Sequence, residues 1–326
     1  MIEKLSVCCA MGLNPYENIA LEKHLLETVC QGECILYLWQ NQNTVVIGRN
    51  QNAWAECSTS LLESEGGHLA RRLSGGGAVY HDLGNLNFTF IMSETDYDLD
   101  RQLCVIQTAC ALAGIETEKS GRNDLLADGM KFSGNAFYHS QGRAYHHGTL
   151  LINADMDKLS RYLTPSKAKL AAKGVASVRS RVVNLSTRNP ELTCELMAQY
   201  MTEAFQSVYG LRAAALPQPS AEQLRQDVMT LSSWQWLYGE NLQADFSWED
   251  RFSWGGILLE MQVVAGVIDR VRVYTDAMDW NLPGQIESAL RGCRFRKDAI
   301  SGALKDVCDD PDVLGDMQNL IRRQDF

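Results

Sequence analysis

Three consecutive glycines, set between a pair of arginines and a strand-forming run, constrain this chain more than any other feature. The stretch reads Arg71-Arg72-Leu73-Ser74-Gly75-Gly76-Gly77-Ala78-Val79-Tyr80-His81-Asp82. Without Cβ atoms the backbone can come close to a ligand and offer its N–H groups to an anion. The arginines carry forked donors suited to phosphate or carboxylate. Neighbouring residues in a strand point to opposite faces, so one arginine of the two reaches a ligand directly. The spacing fits neither the Gly-Lys-Ser/Thr phosphate loop nor the dinucleotide fingerprint. The stretch is a candidate site for a nucleotide and an acid, with a purely structural glycine turn as the alternative.

The 326 residues allow one large domain or two unequal ones. A formal net charge of −10 argues against non-specific nucleic-acid binding, which needs a basic surface. A basic pocket in so acidic a chain therefore stands out. The ten cysteines form no Cys-x-x-Cys pair and sit in apolar or helix-like runs, as buried thiols of a reducing compartment do. Residues 1–10 carry Glu3 and no long apolar core, and no stretch reaches the length of a membrane span. A soluble, cytoplasmic protein with no membrane or nucleic-acid partner is expected.

Apolar spacing predicts helices over 14–29, 61–65, 99–113 and 192–209, with Gly114 and Gly210 as stops. The runs 35–39 and 44–48, separated by a polar turn, predict a hairpin. Leu86, Phe88 and Phe90 alternate with Asn87 and Thr89, which predicts a half-buried strand. Asp128-Gly129 and Gln141-Gly142 are hairpin turns in a meander over 121–152. A second small sheet follows residue 251, with helices near 284–291, 298–306 and 311–324. These elements predict an α+β chain with a large mixed-sheet domain, 1–247, and a small α+β domain, 248–326.

Lys131 stands between Gly129 and Gly134, directly after a tight turn and facing Asn123 and Asp124. A lysine held there can neutralise a carboxylate attacking an α-phosphate, or it is simply an exposed strand lysine. Asp124 is either a magnesium ligand or a turn cap. His81 lines a pocket while Asp82 faces away; His146 and His147 oppose faces in the same manner, which disfavours metal ligation there. No Gly-x-Ser-x-Gly elbow is present, and no serine or cysteine is set as a nucleophile, which favours activation by a nucleotide.

These residues, together with Val45-Val46-Ile47-Gly48-Arg49, Ser120-Gly121-Arg122-Asn123-Asp124, Lys131-Phe132-Ser133-Gly134 and His146-His147-Gly148-Thr149-Leu150, resemble the motifs of lipoate–protein ligases. Residues 169–181 resemble that family's adenylate-covering loop, and Phe252-Ser253-Trp254-Gly255-Gly256 its accessory domain. The resemblance spans nearly the whole chain, and no motif position departs from it. It implies the α+β fold of the biotin/lipoate ligase superfamily and a two-step reaction. Lipoate and Mg-ATP give lipoyl-adenylate and pyrophosphate. The lipoyl group then passes to a lysine on acceptor domains of 2-oxoacid dehydrogenase complexes or the glycine-cleavage H protein.

By the same resemblance Arg72, Gly77, Ala78, Val79, Tyr80, Asn123, Asp124 and Lys131 contact the nucleotide or adenylate. Arg71, Ser74, Gly75, Gly76, His81 and Lys131 line the lipoate site, with Lys131 catalytic. Gly174, Val178, Arg179 and Arg181 belong to the covering loop, which excludes water from the adenylate. A monomer is expected. An octanoyltransferase of the same superfamily is the alternative; the glycine run and the tail domain favour the ligase. A regulator that binds lipoate without transferring it is the other, and the intact Lys131 speaks against it.

Overall fold

The structure is a computed structural model describing residues 1–120, 124–164, 182–239 and 244–324. Its largest sheet uses β1 (Lys4–Cys9), β2 (Glu33–Trp39), β6 (Asn85–Ser93), β7 (Glu118–Ser120), β8 (Asp124–Ala127), β9 (Met130–Ser140), β10 (Arg143–Leu151) and β11 (Ala213–Ala215). Their spatial order is β11-β1-β2-β6-β10-β9-β8-β7. The β1 strand is parallel to both its neighbours, and β2, β6, β10, β9, β8 and β7 follow antiparallel. A second sheet orders β4 (His68–Arg71), β3 (Thr44–Ile47) and β5 (Val79–His81); a third is the meander β12 (Phe246–Phe252), β13 (Gly255–Val264) and β14 (Val267–Thr275). The mixed α+β class is as the sequence predicts.

The period-2 alternation of β6 organises the core. Leu86, Phe88, Phe90 and Met92 pack against helices Leu99–Leu112 and Cys194–Tyr209. Ile91 turns the other way, with Tyr37, Trp39 and Tyr145, toward helix Pro15–Thr28. Each fully buried large side chain contributes about 1.5–3 kcal/mol. On that second face Asn87 and Thr89 are also buried, so β6 is covered on both sides rather than half-buried. Asn87 borders a cleft, and Thr89 is bonded to Glu22 and Trp39.

The expected hairpin is absent. The β2 strand pairs with β1 and β6, and β3 pairs with β4 and β5 in a different sheet. The polar turn between them is drawn inward: Asn41 is buried and bonds Asn18 and His81. The turns at Asp128-Gly129 and Gln141-Gly142 form as expected, with both residues of each pair at φ between 50° and 74°.

Residues from Trp248 to Ile321 build a separate apolar core. Its first strand begins at Phe246, two residues ahead of the expected boundary. This unit meets the larger one through apolar contacts of Trp280, which packs against Tyr138, and of Met278, and through polar ones. Gly76 N–H donates to Ala277 O at 3.1 Å, Thr275 N–H to Asn50 O at 2.9 Å, and Asn50 Nδ2 to Trp280 O at 2.8 Å. Among the described residues no helix is long and apolar enough to cross a membrane.

Candidate active site

The second face of the large sheet carries a cleft with about 660 Å³ of empty space, part of it open to solvent. Its floor crosses four strands. Thr149 of β10 and Trp39 of β2 flank Asn87 of β6 in register, and Gly134 N–H of β9 donates to Thr149 Oγ1 at 3.4 Å. Three strand spacings make this floor about 14 Å long. The glycine run, Val46 and Val79 form the opposite wall, and Met278 of the small unit closes one edge.

Lys131 stands at the β9 end of the cleft. Its Nζ lies 2.6 Å from Asp124 Oδ1, a close charge contact with both side chains about one-third exposed. Asp124 is not a turn cap: it pairs with Ser120 and Gly134 in the ladder. Asn123 lies outside the described residues, as do Gly174, Val178, Arg179 and Arg181 of the expected covering loop.

The two arginines part as their alternation requires. Arg72 lines the cleft, yet its guanidinium is committed to backbone carbonyls: Gly75 O at 2.7 Å, Gly77 O at 2.8 Å and Val46 O at 3.2 Å. It holds the glycine run in shape and lends the wall a positive charge. Arg71 is not brought to the cleft. It donates to the carbonyls of Gly48, Arg49, Gln51, Trp236 and Leu237 behind the wall. Five inward-pointing carbonyls there require a forked donor, which overrides the expected contact with the acid. Burial pushes both guanidinium pKa values down to about 10.

Gly76 adopts φ +89°, and a Cβ on Gly75 would stand 2.4 Å from Ala277 O. The run thus needs glycine both for its turn and for the approach of the small unit. Gly77, Ala78 and Val79 line the cleft; Tyr80 does not border it, and its buried side chain packs against Tyr162. His81 lines the cleft as expected. Burial, with Arg72 and His147 nearby, lowers its pKa to about 3.

Ser74 is buried behind the wall. Its Oγ lies 2.8 Å from His147 Nε2, and His147 Nδ1 lies 2.8 Å from Glu22 Oε1, which also accepts from Thr89 Oγ1 at 2.7 Å. This has the connectivity of a serine–histidine–acid triad, but Ser74 does not border the cleft and cannot present its hydroxyl to an acyl group. No cysteine lines the cleft among the described residues. The sequence reading missed Glu22, Trp39, Asn87 and Met278 as site residues, while Thr149 belongs to a motif it singled out. Asn87 and Thr89 were the readable signal, as polar residues alternating within a strongly apolar strand.

An acid-sized cleft, partly open to solvent, with a lysine at one end and a glycine wall beside it also fits what known proteins show. The family described as "Lipoyl protein ligase A/B catalytic domain" matches residues 14–206, and "Bacterial lipoate protein ligase C-terminus" matches residues 241–319. The chain belongs to the lipoate–protein ligase family. It is an enzyme of the ligase class that joins lipoate to protein. The lipoate-protein ligase A of Bdellovibrio bacteriovorus is 39% identical over 315 residues, spanning 94% of this chain and 93% of that protein. The crystal structure of P. falciparum LipL1 in complex with lipoate matches 98% of this chain and 100% of its own, with TM-score 0.87 and 28% identity. A lipoate-protein ligase A bound with ATP shares the fold over 73% of this chain and 99% of its own, with TM-score 0.62 and 24% identity.

Proposed function

We propose that lipoate lies along the cleft with its carboxylate at Lys131 and its dithiolane ring at Trp39, and that ATP converts the carboxylate to lipoyl-adenylate with release of pyrophosphate. The carrying observation is the placement of Lys131 Nζ at one end of a floor three strand spacings long. An extended eight-carbon acid fits within that length. A carboxylate is a poor acyl donor at neutral pH, and AMP supplies the leaving group. The lysine ammonium offsets the charge where carboxylate and α-phosphate meet. Arg72 adds positive charge, and Gly77, Ala78 and Val79 offer the surface for the nucleotide. Ser74, Gly75 and Gly76 shape the wall, and His81 closes the tail end.

The residues present fit magnesium only as an ion carried in with the triphosphate. Among the described residues no group of three or more metal-ligating side chains stands together, and Asp124 offers one carboxylate beside Lys131. Magnesium binds readily through one or two carboxylates plus substrate phosphates. When bound, it neutralises phosphate charge.

In the second step the acceptor lysine amine attacks the acyl carbonyl, an amide forms, and AMP leaves. We take the acceptors to be lipoyl domains of 2-oxoacid dehydrogenase complexes and the glycine-cleavage H protein. The catalytic and accessory parts divide at the link before Phe246. We also take the protein to be a cytoplasmic monomer; its ten free cysteines suit a reducing compartment. The test mixes the protein, lipoate, Mg-ATP and an apo lipoyl domain. Lipoate-dependent pyrophosphate release and a lipoyl mass gain on the acceptor are expected. ATP-independent acyl transfer from acyl carrier protein, without that release, would establish the octanoyltransferase instead.

A further inference from the structure

An extra residue in β9 decides where Lys131 points. Leu125 of β8 pairs with Ser133, but the next residue, Leu126, pairs with Lys131, so Phe132 is left over as a bulge. Phe132 lies in the same apolar core as Leu125, and Ser133, opposite Leu125, is buried as well. Strict alternation counted from Gly134, which lines the cleft, would send Lys131 into that core. The bulge returns it to the cleft face. The same bulge leaves Ser133 Oγ buried without a hydrogen-bond partner among the described residues. On the far side of β9, Val183 N–H donates to Lys131 O at 2.9 Å and fixes the backbone there.

Two neighbours then place the ammonium. A Cβ on Gly134 would stand 3.1 Å from both Cε and Nζ of Lys131, so the end of the lysine lies across bare backbone at that glycine. Asp124 pairs with Gly134 across the β8–β9 ladder, which puts its side chain on the same face. Its Oδ1 meets Lys131 Nζ at 2.6 Å, and that oxygen makes no aligned hydrogen bond among the described residues, so the contact is one of charge. Lys131 borders the cleft, whereas Asp124 stands behind it and does not.

We propose that Asp124 is a positioning residue for activation of the acid: it holds the Lys131 ammonium over Gly134, at the end of the cleft floor, where carboxylate and α-phosphate meet. This rests on the proposed role of Lys131. A lysine carries its charge on a flexible stem, and a free one spends much of its time away from the reacting atoms. A fixed counter-charge behind it removes that search before the substrates arrive. The carboxylate is committed to the lysine, which leaves magnesium to the phosphates.

The test measures lipoate-dependent pyrophosphate release by Asp124→Ala and Asp124→Asn over ranges of lipoate, ATP and magnesium, with thermal unfolding run in parallel. Asp124→Ala is expected to unfold with the wild type, to lower kcat by about tenfold or more, and to raise neither KM in proportion. Its magnesium requirement should match the wild type's. Asp124→Asn keeps an oxygen at the same point and is expected to recover part of the lost kcat. A folded Asp124→Ala protein with a kcat equal to or above the wild type's overturns the assignment; with Lys131→Ala inactive, the ligase reading stands. A loss that added magnesium restores also overturns it and makes Asp124 a magnesium ligand. Absence of lipoate-dependent release in the wild type overturns the ligase reading instead.

Discussion

Ser74 Oγ lies 2.8 Å from His147 Nε2, and this contact fastens the glycine wall to the floor of the cleft. The same histidine is held from its other side by Glu22, so the three residues brace the wall against the sheet. If Ser74 were a nucleophile, Ser74→Ala would abolish acyl transfer. As a strut it contributes one buried hydrogen bond, worth about 1 kcal/mol. Ser74→Ala is therefore expected to unfold slightly earlier, to raise KM for lipoate, and to keep most of kcat. Intact-mass analysis during turnover should find no acyl group on the wild-type chain; an acyl-serine adduct would refute the strut.

Lys131→Ala is expected to lower lipoate-dependent pyrophosphate release by about a hundredfold or more, since the ammonium acts where charge gathers in the transition state. The fold should survive, because Lys131 is partly exposed and its ion pair with Asp124 is of the kind that adds little stability. Parallel thermal unfolding and release assays separate the two effects. Wild-type release from a folded Lys131→Ala protein would remove the lysine from the mechanism.

The glycines should differ in kind. A Cβ on Gly77 meets nothing within 4 Å in the protein, so Gly77→Ala should leave stability intact and obstruct the ligand. A Cβ on Gly75 meets Ala277 O and Met278 O at 2.4 and 2.7 Å, so Gly75→Ala must displace the small unit's backbone, at an overpacking cost of about 1–3 kcal/mol. Thermal unfolding together with lipoate and ATP titrations should show loss of affinity alone for the first and loss of stability for the second. The reverse pattern would contradict the packing described.

What could be read ahead of the structure was local. The turns at Asp128-Gly129 and Gln141-Gly142 carry their conformation in two residues, and helix Leu99–Leu112 carries its buried stripe in fourteen. Lys131 came within reach of Asp124 because one hairpin joins them. What could not be read depends on distant partners. The polar alternation of Asn87 and Thr89 ordinarily faces water, and only helix Pro15–Thr28 and the glycine wall turn that side inward. Asn41 looks like a turn residue until Asn18 and His81 draw it into the core. Arg71 reads as a ligand contact because the carbonyls of Trp236 and Leu237 that claim it lie 165 and 166 residues away in the chain. Met278 closes the cleft from the far end of the sequence, beyond any local signal.

Acid should weaken the fold through two histidines. His81 and His146 are buried, and burial is the first cause that lowers each pKa to about 3. Unfolded histidine titrates near 6.5. Between those values the unfolded chain binds more protons than the folded one, so their contribution is fully present above about pH 6.5 and declines as the pH falls. His146 is the cleaner probe: its two ring nitrogens face the side-chain amides of Gln102 at 2.9 Å and Asn135 at 2.8 Å, one of which presents its NH2 to a neutral ring, on the opposite side of β10 from the His147 brace. His146→Gln is expected to be less stable at pH 7, yet to lose stability less steeply toward pH 5. The slopes should differ by about half a proton between pH 7 and 6 and by nearly one, about 1.4 kcal/mol per pH unit, only toward pH 5. Urea unfolding at pH 7, 6 and 5 reads this directly, and equal slopes in both proteins would mean that burial does not keep His146 neutral.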